Sequence, residues 1–289
     1  FKNCEKFSIN CFSVDYEYIK SILPEFTKLK SLYLDGISIT QEEFNNLFSN
    51  ENILNNLEEL YLQIRNEGED ISDFRALGKL KNLKVLNVTS ARIDNLDEIK
   101  NLTKLETLNL NYASLDSLDG IENLTQLKSL LLTRADQITD FSPIGKLKNL
   151  EELDLAGTNI KDVTDIKNLE KLAQINLADT KVSAEDRLSL IRTKEIVLEE
   201  GEKIVTNRYT TKGFLAPNGI IDDSDDVILD KEDQGITCEQ EEGDWVTLEA
   251  KQGSKGATAN LIIKHKGVTY KTIPVRVIGA DEATPYFAK

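Results

Sequence analysis

The chain has 289 residues and a formal net charge of −15, because 50 Asp and Glu outnumber 35 Lys and Arg. This charge argues against nucleic acids and anionic membrane surfaces as partners, since phosphate binding needs clustered basic side chains. No run of 18 apolar residues occurs, so no direct membrane insertion is predicted.

The first segments of the chain combine strand-like apolar patterns with long connections. The phrase Leu-x-x-Leu-x-Leu, or a variant of it, begins at Cys4, at Leu29 and at Leu57. Apolar side chains that alternate in this way predict strands. The connections leave room for helices, which we predict at residues 15–26 and 41–48.

The second of these helices carries a start signal. Thr40 stands at the predicted N-cap, and Glu43 stands three residues later at the capping-box position. In a capping box, each of the two side chains bonds the other residue's backbone N–H group, which satisfies donors that the first helical turn leaves open. The helix is therefore predicted to begin just after Thr40.

From residue 83 the same phrase recurs at an almost constant distance. The repeats begin at Leu83, Leu105, Leu127, Leu150 and Leu172, with separations of 22, 22, 23 and 22 residues. Each phrase is followed by apolar or small residues about three positions apart, which suits a tight 3₁₀ or helical return. This period is typical of a leucine-rich repeat, whose coils each supply one strand and bury their apolar face against neighbouring coils.

Residues 1–198 are therefore predicted to form an α/β leucine-rich repeat solenoid, with irregular repeats at its amino-terminal end. Its parallel sheet is expected on the concave face, with 3₁₀ or short helices on the convex face. Eight strands are expected, and Ile196 with Leu198 is predicted to form a last strand that closes the stack. Residues 195–205 can equally supply the first strand of the next domain, so this boundary stays open.

The pattern changes near residue 200. After a stretch rich in Gly, Asp and Pro, three alternating segments predict strands at residues 246–250, 257–264 and 269–277. A hairpin-turn signal stands at residues 265–267, and Trp245 has the character of a buried core residue. These features predict an all-β immunoglobulin-like sandwich over residues 199–281, followed by a tail at residues 282–289.

The three cysteines do not define a disulfide framework. If residues 4–9 form a strand, Cys4 and Cys11 lie about 20 Å apart, because each extended residue spans ~3.3 Å. That distance exceeds the reach of a disulfide, so buried free thiols are favoured and a Cys4–Cys11 bridge is the alternative. Cys238 is unpaired in either case.

The predicted concave face supplies the candidate binding residues. Alternate side chains of a strand point to opposite faces, so repeat positions 3, 5 and 7 face outward. The face has no Lys over seven strands and carries Tyr, Val and Leu. Exposed Tyr is typical of binding surfaces, although the same residues are also good strand formers. The candidates, with two residues just beyond position 7, are Tyr33, Glu59, Tyr61, Val85, Asn87, Asn109, Tyr112, Leu131, Arg134, Glu152 and Asp154.

Patterns for catalysis and metal binding are weak. His265, the only histidine, is expected to be a solvated turn residue rather than a general base. Glu152 and Asp154 share one face of a strand, but without a cleft they are interpreted as a polar stripe. The run Asp222–Asp226 lacks the spacing of a calcium loop, so a charged loop is preferred. We therefore expect no enzyme activity, no cofactor and no metal site.

The repeat form Leu-x-x-Leu-x-Leu-x-x-Thr-x-Ile, joined to a predicted immunoglobulin-like domain, resembles the internalin family of bacterial surface proteins. The resemblance implies display at the bacterial cell surface or secretion, and adhesion or virulence through concave-face recognition of a protein, a host receptor among the candidates. The family has Asn at repeat position 9, where this chain has Ala91, Ala113, Ala135, Thr158 and Thr180. Backbone groups there are expected to rely on water or local turns.

Three functions stay open from the sequence. The favoured one is a monomeric, adhesin-like module that binds a protein partner, with the β-sandwich as a stiff spacer. The first alternative is a structural envelope protein. The second is a carbohydrate-binding module in which Tyr33, Tyr61 and Tyr112 stack on sugar rings.

Overall fold

A computed structural model of the chain describes residues 2–10, 16–49, 55–64, 71–93, 96–97, 99–206, 215, 217, 219–231, 235–241 and 245–279. The chain divides into two compact units, residues 1–171 with 178–181 and residues 172–177 with 182–289. An eight-stranded parallel sheet and two smaller β-sheets confirm the predicted fold class. The domain limits at residues 198 and 281 stay a prediction.

The eight strands of the parallel sheet follow one another in chain order. They are β1 (Lys6–Asn10), β2 (Ser31–Ile37), β3 (Glu59–Ile64), β4 (Val85–Val88), β5 (Thr107–Asn109), β6 (Ser129–Leu131), β7 (Glu152–Asp154) and β8 (Gln174–Asn176). From β2 to β7 equal repeat positions pair, so position 5 forms a continuous row that runs from Tyr33 to Asp154. The period in the sequence therefore sets the register of the sheet.

The repeat leucines form the core of the first unit. Leu105, Leu108 and Leu110 have no exposed surface, and the equivalent residues of the other repeats are buried in the same way. Burying one such side chain contributes about 1.5–3 kcal/mol. The returns of the coils contain the predicted 3₁₀ helices, at Leu23–Glu25, Arg75–Lys79, Ile121–Asn123, Ser142–Lys146 and Ile166–Asn168.

Repeat position 9 uses local turns, as expected from the absence of Asn. The N–H groups of Ala113, Ala135 and Thr158 each donate to the carbonyl three residues earlier, at 3.0–3.1 Å. The Thr158 hydroxyl also donates to the Leu155 carbonyl at 2.7 Å. At these three positions the backbone N–H group is thus satisfied within its own coil.

Repeat position 8 has a left-handed backbone in every regular repeat, a feature that the sequence did not predict. Its residues are Ser90, Tyr112, Arg134, Gly157 and Asp179, with φ between 56° and 68°. The N–H groups of the first four donate to the carbonyl at position 7 of the next repeat, which continues the inter-coil bonding past the end of the strand. The turn costs a non-glycine residue about 1–2 kcal/mol, so the bonding between coils holds it in place.

Both predicted helices of the amino-terminal repeats are present. Helix α1 spans Tyr16–Ile22 and continues into a 3₁₀ turn. Helix α2 spans Gln41–Leu47, and its capping box is confirmed. The Thr40 N–H donates to the Glu43 carboxylate at 2.8 Å, and the Glu43 N–H donates to the Thr40 hydroxyl at 3.2 Å. None of the helices in the described parts of the chain is long and apolar enough to cross a bilayer.

The second unit contains two small sheets and one further helix. Its helix α3 spans Ala184–Ser189 and was not predicted, although Ser183 caps it through the Asp186 N–H. One sheet has the order β10 (Lys203–Thr206), β13 (Trp245–Ala250) and β12 (Ile236–Glu241). The other has the order β11 (Asp225–Leu229), β14 (Thr258–His265), β15 (Val268–Ile278) and β9 (Ile196–Glu199).

Two predictions about this unit need correction. Strand β9 was expected to close the repeat stack, but Ile196 pairs in parallel with Val275 of β15. Three consecutive buried residues of β9 fit a strand covered on both faces, which is why the pattern suited either sheet. Trp245 was expected in the core, yet it is 45% exposed because it begins β13 beside the end of β12.

The hairpin follows expectation, and Cys4 and Cys238 are unpaired as expected, although both are partly exposed rather than fully buried. Lys266 and Gly267 join β14 to β15, and both have positive φ, as a type I′ turn requires. Cys238 is a free thiol, and burial raises its pKa to about 12. Cys4 is also free and donates to the Lys6 carbonyl, at 2.9 Å. Cys11 lies outside the described residues.

Candidate protein-binding surface

The concave face is defined here by repeat positions 3 and 5 of β2 to β7. All of its side chains are partly exposed, whereas the leucines between them are buried. The structure thus brings nine of the eleven predicted binding residues onto one surface. The face consists of Ser31, Tyr33, Glu59, Tyr61, Val85, Asn87, Thr107, Asn109, Ser129, Leu131, Glu152 and Asp154.

The remaining two candidates, Tyr112 and Arg134, lie beside this face. Both occupy the left-handed position 8 just after the strands, and both are exposed, Tyr112 by 57%. Their side chains are therefore placed at the rim of the surface rather than within it.

An aromatic stack dominates the first strands of the concave face. The rings of Tyr33 and Tyr61 are nearly parallel, at 8°, with centroids 4.1 Å apart. The Lys6 ammonium lies 4.4 Å from the centroid of the Tyr33 ring. Because Lys6 is on β1 and Tyr61 is on β3, they approach Tyr33 from the two sides of β2. Lys6 was missed because the concave face was predicted from the seven strands that follow the first one, although the phrase at Cys4 places Lys6 at position 3, where it pairs with Ser31.

Two glutamates on the face are held by hydroxyl groups in the same way. Oε2 of Glu59 accepts hydrogen bonds from the Ser31 hydroxyl at 2.8 Å and from the Tyr33 hydroxyl at 3.1 Å. Oε2 of Glu152 accepts one from the Ser129 hydroxyl at 2.6 Å. In both cases a serine at position 3 of one strand fixes the glutamate at position 3 of the next. These donors are neutral, so they fix the position of each carboxylate without forming an ion pair with it.

The two phenols stay protonated at neutral pH. Burial raises the pKa of Tyr61 to about 12, helped by the neighbouring Tyr33 and by the charge of Glu59. Burial likewise raises the pKa of Tyr33 above its usual value near 10. These rings therefore act as neutral contact surfaces and hydrogen-bond donors, and not as bases.

Other polar side chains of the face support the backbone. The Asn109 side chain accepts from the Asn111 N–H at 3.0 Å, and Asp154 accepts from the Ala156 N–H at 2.9 Å. The Asn111 side chain in turn accepts from the Thr133 N–H, at 2.8 Å. These bonds hold the chain where it leaves the strand, which gives the residues a structural role.

A second polar cluster, in the other unit, corrects the prediction for His265. Its side chain is only 16% exposed and its Nδ1 lies 2.9 Å from Oδ1 of Asp225, so it is not a solvated turn residue. The Arg187 guanidinium of α3 donates to both oxygens of Asp225, at 2.6 and 3.1 Å, and pairs with Asp222 at 2.8 Å. Arg187 also donates to the Ile220 carbonyl.

Asp222 and Asp225, which belong to the run predicted to be a charged loop, are therefore part of this cluster and are not freely solvated. The ligand atoms of Asp222, Asp225 and His265 lie within 4.8 Å of one another, a spacing that a metal ion could use. However, Arg187 already brings a positive charge to both carboxylates. Burial raises the pKa of Asp225, but its hydrogen bonds with Arg187 and the Asp222 N–H outweigh this effect and lower the pKa overall. The arrangement is that of a structural ion pair.

A family model described as a leucine-rich repeat region matches residues 54–194, in agreement with the 22-residue period and the parallel sheet. The chain therefore contains a leucine-rich repeat solenoid. Among solved structures it is similar to a leucine-rich repeat protein of Leptospira interrogans, at 24% identity and a TM-score of 0.50, with coverage of 65% of this chain and 46% of that one.

Two Listeria monocytogenes structures are also similar to this chain. An internalin matches at 24% identity and a TM-score of 0.48, over 58% of this chain and 53% of that one. Internalin C2 matches at 22% identity and a TM-score of 0.49, over 64% of this chain and 82% of that one. The chain thus spans about half the length of the Leptospira protein and of the first internalin. No curated protein sequence matches it.

Proposed function

We propose that the chain is a non-enzymatic binding module of a bacterial cell-surface or secreted protein, which recognises a partner protein through the concave face. The supporting observation is the Tyr33–Tyr61 stack, fixed by Lys6 and by Glu59. Because these rings are already ordered, they lose little further freedom when a partner covers them. Ordered aromatic anchors among small polar residues are typical of interaction hot spots.

The biological setting of the proposal is taken from the resemblance of the repeats to those of internalins. We place the chain in cell adhesion or virulence, with a host receptor as the candidate partner and the chain acting as a monomer. The β-rich unit serves as a spacer in this proposal. No catalytic step is part of it.

The stack also bears on the carbohydrate-binding alternative. A sugar ring needs an open aromatic face, but Tyr33 has Lys6 on one side and Tyr61 on the other. Tyr112 projects from a turn at the rim, two strands beyond Tyr61. The three tyrosines therefore do not form a common platform for a sugar, and the geometry favours a protein partner.

The test is an affinity pull-down from host-cell membranes and from bacterial wall extract. The native chain is compared with the triple variant Tyr33→Ala/Tyr61→Ala/Leu131→Ala, which removes the apolar contacts of the concave face. A partner protein that is captured by the native chain and lost with the variant supports the proposal. The extract that supplies the partner separates a host protein from a wall component.

A matched control removes the same kinds of side chain elsewhere. The variant Tyr18→Ala/Tyr270→Ala/Ile228→Ala deletes two tyrosines and one aliphatic residue that are exposed by 56%, 38% and 41% and lie outside the concave face. Circular dichroism verifies that both triple variants are folded. Equal capture by native chain and concave-face variant would refute the proposal, and so would loss of capture in the control.

A further inference from the structure

Charged residues are arranged differently on the concave face and in the neighbouring row of residues at repeat position 2. At repeat position 2, acidic and basic residues alternate from one coil to the next: Glu5, Lys30, Glu58, Lys84, Glu106, Lys128 and Glu151. Within this row Lys30 pairs with Glu5 at 3.1 Å, Lys84 with Glu58 at 2.6 Å and Lys128 with Glu106 at 2.7 Å. Six of the seven charged residues in this row are therefore paired with one another.

At repeat position 3, one residue further along, the carboxylates are held by neutral donors. Glu59 and Glu152 accept hydrogen bonds from serine and tyrosine hydroxyls. Among the residues that the structure describes, no Lys or Arg forms an ion pair with either glutamate. Lys84 acts electrostatically on Glu59 but forms no ion pair with it, so both carboxylates are fixed in position and open to a partner.

We propose that the partner binds with an extended basic segment whose cationic side chains meet Glu59 and Glu152. This inference rests on the proposed function and names the chemistry that the concave face selects. Charge complementarity of this kind favours correct partners and speeds their association more than it adds raw affinity. Since each carboxylate is held by a serine, it does not have to be ordered during binding.

The spacing of the two glutamates defines the length of the segment. Glu59 is on β3 and Glu152 is on β7 at the same repeat position, so four strand spacings of about 4.8 Å separate them by roughly 19 Å. Val85, Thr107 and Ser129 lie between them and carry no charge. An extended peptide covers this distance in about six residues at ~3.3 Å each. Two basic groups about six residues apart therefore reach both carboxylates.

Arginine fits the first of these sites better than lysine. Glu59 lies next to the Tyr33–Tyr61 stack. A guanidinium group is planar and weakly hydrated and can donate two N–H groups to a carboxylate beside these apolar rings, whereas an ammonium group is a more strongly hydrated point charge. We therefore expect an arginine side chain at the Glu59 end of the segment.

The test uses a fluorescein-labelled peptide in which two Arg-Arg pairs are separated by five neutral residues, with binding measured by fluorescence anisotropy. The spaced peptide is expected to bind the native chain more tightly than a peptide with four contiguous arginines. The variant Glu59→Gln/Glu152→Gln keeps the shape of both side chains and is expected to weaken binding on the order of tenfold.

A control variant, Asp116→Asn/Glu170→Gln, changes the net charge equally at exposed positions away from the concave face. It is expected to change the affinity less than about twofold, because distant surface charges are screened by salt. No binding of the spaced peptide, or equal weakening in both variants, overturns the inference. A pulled-down protein that is lost with the triple alanine variant but kept by Glu59→Gln/Glu152→Gln also overturns it, while the proposed function stands.

Discussion

Replacing Arg187 with methionine tests whether the buried ion pair holds the second unit together. The guanidinium makes two hydrogen bonds to Asp225, whose side chain has no exposed surface, and one ion pair with Asp222, whose side chain is 45% exposed. Methionine fills a similar volume but leaves the Asp225 carboxylate without its cation. The expected result is a large loss of stability, because the remaining charge stays buried.

The size of the loss follows from the partners that remain. Removing one member of a buried pair costs about 3–5 kcal/mol. Asp225 keeps bonds from the Asp222 N–H at 3.0 Å and from His265 at 2.9 Å, and the exposed pair with Asp222 contributes little. We therefore expect about 3 kcal/mol, measured by urea unfolding through the fluorescence of Trp245, the single tryptophan, which lies in the same unit.

The pH dependence of the stability difference between the native chain and Arg187→Met is an independent check. The folded-state pKa of Asp225 is lowered, so in the native chain its contribution is complete above its unfolded value and is lost as pH falls through the lowered pKa. In the variant, the buried carboxylate without its cation has a raised pKa and gains stability on acidification. The difference between the two chains must therefore shrink from pH 7 towards pH 4. A loss below about 1 kcal/mol, or a difference that grows on acidification, would refute the reasoning.

Two further predictions concern the first unit. Gly157→Ala should lower the free energy of unfolding by about 1 kcal/mol in thermal denaturation, because φ is +68° and the new Cβ would lie 2.9 Å from Cγ of Arg134. Adding Arg134→Ala should recover the steric part of this loss. An unchanged stability of the single variant would contradict the left-handed conformation assigned to Gly157. In an alkaline titration followed by tyrosinate absorbance, one component should ionise near pH 12 and disappear in Tyr61→Phe; ionisation of all tyrosines near pH 10 would contradict the stacked arrangement.

The parts of the fold that could be predicted depend on local signals. The 22-residue period predicted the strands and their register because each coil repeats the same burial pattern. The start of α2 was predictable because the Thr40 and Glu43 capping box is confined to four residues. The Lys266-Gly267 hairpin was predictable because Gly267 readily supplies the positive φ that a type I′ turn needs.

The parts that could not be predicted depend on contacts between distant residues. His265 forms a hydrogen bond with Asp225, which lies 40 residues earlier in the sequence. Arg187 bonds the same carboxylate from 38 residues before it. No local pattern marks such a cluster. The left-handed position 8 was also hidden, because only Gly157 among its five residues signals positive φ. On the concave face, Lys6 was missed because the face was predicted from the seven strands after the first one.

The scaffold itself narrows where recognition can occur. In each regular coil, positions 1, 4 and 6 are buried, position 8 is held in a left-handed turn, and much of position 2 pairs its charges along the edge. At position 5 of β5 and β7, Asn109 and Asp154 bond the following backbone. Few positions remain whose side chains neither fill the core nor bond the backbone, and they include Tyr33, Glu59, Tyr61, Leu131 and Glu152. Binding energy should therefore concentrate at the Tyr33–Tyr61 stack and at the two serine-held glutamates, because side chains there can specialise without a cost in folding.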